Sequence, residues 1–300
     1  MSSTEPRSSA HAAGTFTFPG TDRTVSRMGY GAMRLPGPQV WGPPWDPDAA
    51  IAVLREAVAM GIDHIDTADF YGPDVSNELI RAALSPYPAV LTIVTKIGFR
   101  RGDDRSWQPA SDPASLRHSV ENNLRVLALD ALPVVNLRLG GPGGTISDAS
   151  VREPLASVRA LQDEGLIGHI GVSNVSAAQV EEALEIAPIV CVQNHYNLAH
   201  RTDDALIDRL AARGIAFVPF FPLGGFSPLQ SDALSGVATD LAATPMQVAL
   251  AWLLQRGDNI LLIPGTSSVA HLRENVAAAS LVLPADAVAT LDRIGAAVAA

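Results

Sequence analysis

The chain has 300 residues, of which 47% are apolar and 17% charged, and it carries a net charge of −10. That length suits one large α/β barrel or two smaller domains, and an acidic chain repels phosphate backbones, which argues against nucleic acid or an anionic membrane as partner. The single cysteine, Cys191, excludes an intrachain disulfide; in the apolar run Ile189-Val190-Cys191-Val192 it reads as a buried core thiol in a reducing compartment. The first dozen residues lack the apolar stretch of a secretory signal, and no run reaches the ~20 apolar residues of a spanning helix. The expected location is the cytoplasm.

In chain order, residues 1–13 read as a flexible polar tail, and residues 14–300 as one domain. Residues 15–18 and 24–27 flank Pro19-Gly20-Thr21-Asp22, the pattern of a β-hairpin. A repeating unit follows: an apolar strand, a loop, an amphipathic helix. Strands are expected at 28–31, 62–66, 90–96, 132–138, 167–172, 189–193, 215–220 and 260–263. Helices are expected at 48–60, 113–128, 151–164, 176–187, 203–213 and 245–256, each with apolar residues at helical spacing. Asp112-Pro113, Ser176 and Thr244-Pro245 supply N-cap and first-turn signals. Strands alternating with helices imply a parallel sheet. Eight such units without a linker fit a (β/α)8 TIM barrel, here with an N-terminal hairpin and C-terminal helices.

In such a barrel the site lies at the C-terminal ends of the strands. The long loops there are 35–47, 97–111 and 139–149. Trp41, Trp45 and Trp107 fall in the first two, and they read either as an aromatic-walled substrate pocket or as rings that pin the loops. Asp66 ends the second expected strand, Tyr71 follows it, and Lys96 ends the third, so one rim holds all three. A phenol near pKa ~10 is a poor acid at neutral pH. An adjacent ammonium favours the phenolate, and a carboxylate keeps that ammonium charged and oriented. The set is suited to giving a proton to a developing alkoxide and taking it back.

Two other readings of these segments are weaker. Gly29-Tyr30-Gly31-Ala32-Met33-Arg34 begins like a dinucleotide fingerprint, but Arg34 stands at the third glycine and a Pro-rich loop follows where a helix should start. His64, Asp66, Asp69 and Asp74 lack a second histidine at ligand spacing, so no metal is expected.

The segments Gly61-Ile62-Asp63-His64-Ile65-Asp66-Thr67-Ala68, Asp69-Phe70-Tyr71-Gly72, Val94-Thr95-Lys96, Gly171-Val172-Ser173-Asn174, Val192-Gln193-Asn194, Phe221-Pro222-Leu223-Gly224 and Ile263-Pro264-Gly265-Thr266-Ser267-Ser268 with Glu274-Asn275 occur together and in order. In this the chain resembles the aldo-keto reductases, and the resemblance spans nearly the whole chain after the tail. It implies NADPH-dependent reduction of an aldehyde or ketone, with Tyr71 as acid/base tuned by Lys96 and Asp66. It also implies a cofactor site. Gly31, Ala32, Met33 and Asp66 would border it, and Ser173, Asn174 and Gln193 would hold the nicotinamide carboxamide. Phe220 would stack under the ring, and Phe221, Pro222, Leu223 and Gly224, with Gly225 and Phe226, would pass the pyrophosphate. Gly265, Thr266 and Ser267 at a helix N-terminus, with His271, Arg273, Glu274 and Asn275, would take the 2′-phosphate.

One departure stands out. Arg138 occupies the place at the end of the fourth strand where the family usually has histidine. Arginine stays cationic and is no proton shuttle. It can polarise the carbonyl, favour ionised Tyr71 or bind an anionic group on the substrate; alternatively it only pairs with a loop carboxylate such as Asp69. With Trp41-Gly42-Pro43-Pro44 and the 219–226 turn, Arg138 narrows the likeness to a bacterial branch that contains pyridoxal reductases, so pyridoxal is the expected substrate. The alternatives are another aldehyde, or an NADPH-binding regulatory subunit of little turnover.

Overall fold

Residues 9–225 and 230–296 are described by the computed structural model. The hairpin pairs β1 (Thr15–Thr17) with β2 (Thr24–Ser26), antiparallel. The parallel sheet takes β3 (Tyr30–Gly31), β4 (His64–Asp66), β5 (Thr92–Ile97), β8 (Leu132–Arg138), β9 (Ile167–Ser173), β10 (Ile189–Gln193) and β11 (Ala216–Phe217) as successive neighbours. The expected eighth strand contributes only bridges, Phe217 to Ile260 and Met28 to Leu262. These bridges close the barrel: Leu262 N donates to Arg27 O and Gly29 N to Leu262 O, each at 2.8 Å.

Between the strands lie α1 (Pro47–Ala59), α2 (Val75–Leu84), α3 (Pro113–Leu127), α4 (Arg152–Asp163), α5 (Ala177–Leu184), α6 (Asp204–Ala212), α7 (Asp232–Asp240) and α8 (Pro245–Arg256); α9 (Val269–Ala277) and α10 (Ala285–Ala296) follow. The three cap signals hold. Asp112 accepts from Ser115 N, while Ser176 with Gln179 and Thr244 with Gln247 form reciprocal capping boxes. Three elements escape the sequence pattern. One is α2, which begins at Asp74 in the left-handed region without a side-chain cap. Another is α7, where no helix was expected, and the third is a hairpin inside the second long loop, β6 (Phe99–Arg101) against β7 (Trp107–Pro109).

Alternation along each strand sorts side chains between two layers. On β8, Val135 and Leu137 pack outward with helix residues such as Leu116 and Leu155, whereas Val134 faces inward with Val94, Cys191, Ala216 and Leu261. Phe18 and Val25 of the hairpin join this inner cluster and plug the barrel floor. Burial pushes the Cys191 thiol up to about 12, as an inert core thiol requires.

The tail is shorter than the sequence suggests. Residues 1–8 lie outside the described part, but Ala10–Ala13 form a 3-10 turn, with Ala10 N donating to Met60 O and Ser26 Oγ donating to Ala10 O. Small residues with no apolar periodicity concealed this docking.

The Gly29-Tyr30-Gly31 run serves close packing rather than a dinucleotide turn. A Cβ on Gly29 would lie 2.2 Å from the His64 ring, and one on Gly31 would lie 2.5 Å from Ile263 O. A 3-10 turn, Ala32–Arg34, follows instead of a helix. His64 is thus a packed core histidine; burial pushes its pKa down to about 4, against an upward pull from the Ser26 backbone.

That shift has a thermodynamic signature. Unfolded, His64 takes a proton near pH 6.5; folded, only near 4, so stability falls as pH drops through this window. The full loss is on the order of 3 kcal/mol. Urea unfolding between pH 7 and 4 should show a steeper loss for the wild type than for His64→Leu, and equal slopes would contradict the assignment.

Candidate active site

The sheet register explains why distant residues share one rim. Gly31 pairs with Asp66, Lys96 with Asn136, Arg138 with Ser173, and Ser173 with Gln193. Asp66, Lys96 and Arg138 are inward positions near the C-terminal ends of their strands. They border a cavity of about 530 Å³ with Tyr71, Phe70, Trp107, Phe220 and the Gly265–Ser267 segment.

At its floor Lys96 Nζ forms a short ion pair with Asp66 Oδ1 and donates to Thr67 O at 3.2 Å. Gln193 Nε2 donates to the other Asp66 oxygen at 2.8 Å. Burial pushes the Lys96 ammonium down, but Asp66 and Tyr71 together outweigh it, and its pKa lies above the ordinary value. The Tyr71 ring lies beneath this ammonium, with Nζ 5.1 Å from its centroid. The expectation of a lowered Tyr71 phenol needs correcting. Lys96 and Arg138 do pull it down, but desolvation is the larger effect, reinforced by the Asp66 charge, so the net direction is up. Tyr71 therefore stands protonated at neutral pH.

The loop carrying Tyr71 is held from behind. Thr67 Oγ1 donates to Asn77, Asn77 and Thr95 to Asn123, and Ser119 Oγ to Asp69 Oδ2 at 2.5 Å. Burial pushes Asp69 up to about 7. Asp69 is thus engaged with Ser119, and the reading of Arg138 as its ion-pair partner fails. Arg138 instead donates to Gly141 O at 2.8 Å, and its guanidinium carbon lies 5.3 Å from the Phe220 ring and 5.7 Å from that of Phe99. Among the described residues no carboxylate stands within ion-pair distance of it.

The tryptophans divide. Trp107 borders the cavity, edge-on to Phe70 at 5.6 Å. Trp41 lies under Arg101 and Arg105 and pins the first loop, while Trp45 is 91% exposed. Neither borders the cavity, which corrects two of the three substrate-pocket assignments.

The cofactor residues also divide. Gly31, Met33, Asp66, Phe220, Phe221, Pro222, Leu223, Gly265, Thr266, Ser267 and His271 border the cavity; Ala32, Ser173, Asn174, Gln193 and Gly224 are not among the residues that line it. Ser173 Oγ and Gln193 Oε1 are buried without a protein partner among the described residues, as two atoms awaiting a carboxamide would be. Asn174 is committed elsewhere: its amide nitrogen donates to Gly141 O and Thr145 O at 3.1 and 2.7 Å. Arg273 does not reach the cavity, because Glu56 on α1 accepts from its Nε at 2.8 Å. Glu274 accepts from Thr244 Oγ1 and ties α9 to α8, and Asn275 is buried beside it. Phe226 lies outside the described residues.

The structure adds residues the sequence did not single out. Arg34 borders the cavity and donates to Gly225 O at 2.6 Å across its mouth. Its signal was the break in the glycine pattern: a long cation where a third glycine would stand. Phe70 and Met246 also line the cavity; Phe70 stood inside a noted motif, and nothing in sequence marks Met246.

This barrel, with a buried Asp-Lys-Tyr set on its rim, defines a class. Residues 27–296 match the Aldo/keto reductase family. The chain is 62% identical over 284 residues to the pyridoxine 4-dehydrogenase of Escherichia coli (strain K12), covering 94% of this chain and 99% of that protein. It is 38% identical to an uncharacterized oxidoreductase of Schizosaccharomyces pombe, over 98% and 95% of the two chains. Among solved structures, the thermostable aldo-keto reductase Tm1743 superposes with a TM-score of 0.79 at 29% identity, over 94% of this chain and 99% of that one. A Klebsiella pneumoniae aldo-keto reductase in complex with NADPH superposes at 0.76 and 24% identity, over 93% and 94%. The chain belongs to the aldo/keto reductase family. Within it, the chain is closely related to bacterial pyridoxine 4-dehydrogenase.

Breaking the buried pair should be costly in a characteristic way. Lys96→Met is expected to lose about 3–5 kcal/mol of stability by leaving Asp66 charged and unpaired. The double variant Lys96→Met/Asp66→Asn should lose less than the sum of the two single losses in urea denaturation; strict additivity would mean the two groups do not interact.

Proposed function

We propose that this protein reduces an aldehyde to the alcohol with NADPH, that pyridoxal is its substrate, and that Tyr71 is the proton donor. The observation that carries the reading is the Asp66–Lys96–Tyr71 set beneath the cavity. The identity with the E. coli pyridoxine 4-dehydrogenase supports the choice of substrate.

The carbonyl oxygen sits against the Tyr71 hydroxyl. NADPH, when bound, supplies the hydride for the carbonyl carbon. As negative charge builds on the oxygen, Tyr71 donates its proton there, and the Lys96 ammonium stabilises the phenolate left behind. Asp66 holds that ammonium charged and in place; Gln193 holds Asp66. In the oxidative direction the phenolate takes the proton from the alcohol. Burial strengthens each of these interactions by excluding water.

Ser173 Oγ and Gln193 Oε1 would meet the carboxamide, and Phe220 would face the nicotinamide ring. Gly265–Ser267, ahead of α9, would meet the 2′-phosphate through backbone N–H groups and hydroxyls. With Arg273 held by Glu56, Arg34 is a cation that borders the cavity, and His271 borders it as well. A cytoplasmic setting belongs to the same reading, favoured by the buried free thiol and by the supply of NADPH. No single helix among the described residues is long and apolar enough to cross a membrane.

Two measurements test this. Tyr71→Phe should lower kcat for pyridoxal by about 10²–10⁴-fold while NADPH affinity, read by fluorescence titration, changes little. Unchanged turnover would remove Tyr71 from the acid role, and tight NADPH binding without turnover on any of a panel of aldehydes would favour a regulatory subunit. NADPH should bind at least about tenfold more tightly than NADH, a difference of roughly 1.4 kcal/mol; equal affinities would contradict the 2′-phosphate site.

A further inference from the structure

Arg138 is a charged group of the cavity to which the proton-transfer steps above give no direct part. Lys96 is satisfied by Asp66 and Thr67 O. Among the described residues Arg138 donates to a neutral carbonyl, Gly141 O, and no carboxylate stands within ion-pair distance of it. Its guanidinium lies between two phenyl rings, those of Phe99 and Phe220, and borders the same cavity as the Tyr71 hydroxyl. A desolvated cation held this way is costly until an anion meets it. The unused N–H donors of its planar fork suit an oxygen anion.

The position of that anion follows from Tyr71. The carbonyl oxygen must lie at the phenol for proton transfer, and Arg138 stands on β8, the strand next to the one that carries Lys96. A second oxygen that reaches the guanidinium must therefore lie close to the first. The walls argue for a ring: Phe70, Trp107 and Phe220 border this space, with Phe70 edge-on to Trp107 and to Phe99. An aromatic aldehyde with an ionised hydroxyl ortho to the carbonyl places both oxygens on one side of a flat ring. A para hydroxyl would point away from both groups.

We infer that Arg138 selects 2-hydroxyaryl aldehydes as a substrate class, by binding the ionised ortho oxygen while Tyr71 holds the carbonyl oxygen. This rests on the reductase reading above and widens it: the protein reads the pair of adjacent oxygens, so simple salicylaldehydes join pyridoxal as substrates.

The test compares salicylaldehyde, 4-hydroxybenzaldehyde and 2-methoxybenzaldehyde at one pH, in wild type, Arg138→Met and Arg138→Lys. A charge-assisted hydrogen bond corresponds to roughly 10- to 100-fold in kcat/KM. The ratio of kcat/KM for salicylaldehyde over 4-hydroxybenzaldehyde should fall by that factor in Arg138→Met, and by less in Arg138→Lys, which keeps a cation. The ratio over 2-methoxybenzaldehyde should fall alike. If Arg138→Met slows all three aldehydes by one common factor, the guanidinium acts on the carbonyl or on Tyr71, and the inference is overturned. A binding arm separates this from failure of the reductase reading. Quenching of tryptophan fluorescence by salicylaldehyde, with NADP+ present, reports recognition without turnover. Should wild type reduce none of the aldehydes, about tenfold weaker salicylaldehyde binding in Arg138→Met still supports the recognition, and equal binding overturns it.

Discussion

The buried ion pair between Lys96 and Asp66 is the constraint on which the site depends. Two charges removed from water are costly, and their attraction compensates only when the remaining valences are also met. Here they are met from three strands' worth of structure: Gln193 from β10 binds the second Asp66 oxygen, and Thr67 O, just beyond β4, accepts from Lys96. The pair thereby fixes the ammonium over the Tyr71 ring. Without it, Arg138 alone would oppose the upward push of burial on the phenol.

Preorganisation continues outward from this pair. The Thr67, Asn77, Asn123 and Thr95 side chains link the loop after β4 to α2, α3 and β5, so the tyrosine is aimed by a buried polar network. Such networks are worthwhile in a core only when nearly every member is satisfied. Among the described residues the buried atoms left without a partner include Ser173 Oγ and Gln193 Oε1, to which we assign a bound carboxamide, and also Asn136 Nδ2 and Asp69 Oδ1. The substrate side has a different character. Aromatic rings and one unneutralised guanidinium leave shape and charge for the substrate to complete.

Much of this was legible in sequence because strand periodicity is local. Alternation of two along β4, β5 and β8 decides that Asp66, Lys96 and Arg138 face inward, and barrel closure then brings their C-terminal ends together. Helix caps are equally local, and the ones named from sequence form as expected. Where assignment depended on which partner a side chain finds across the fold, sequence was a poor guide. Arg273 sits at motif spacing from Gly265 but meets Glu56, 217 residues earlier in the chain. Asn174 lies in the expected segment but turns its amide to the 141–145 loop.

The placement of Tyr71, Asp66 and Lys96 on one rim, the parallel barrel and the family were determined by the sequence itself, since each rests on short-range pattern. The tertiary structure alone decided which way burial moves the phenol, which tryptophan walls the cavity and which arginines border it. Desolvation, loop closure and ion pairing all depend on what else occupies the surrounding space. Arg138 shows both halves: its strand end was fixed by the pattern, whereas its lack of a carboxylate and its place between Phe99 and Phe220 arise only once the chain has folded around it.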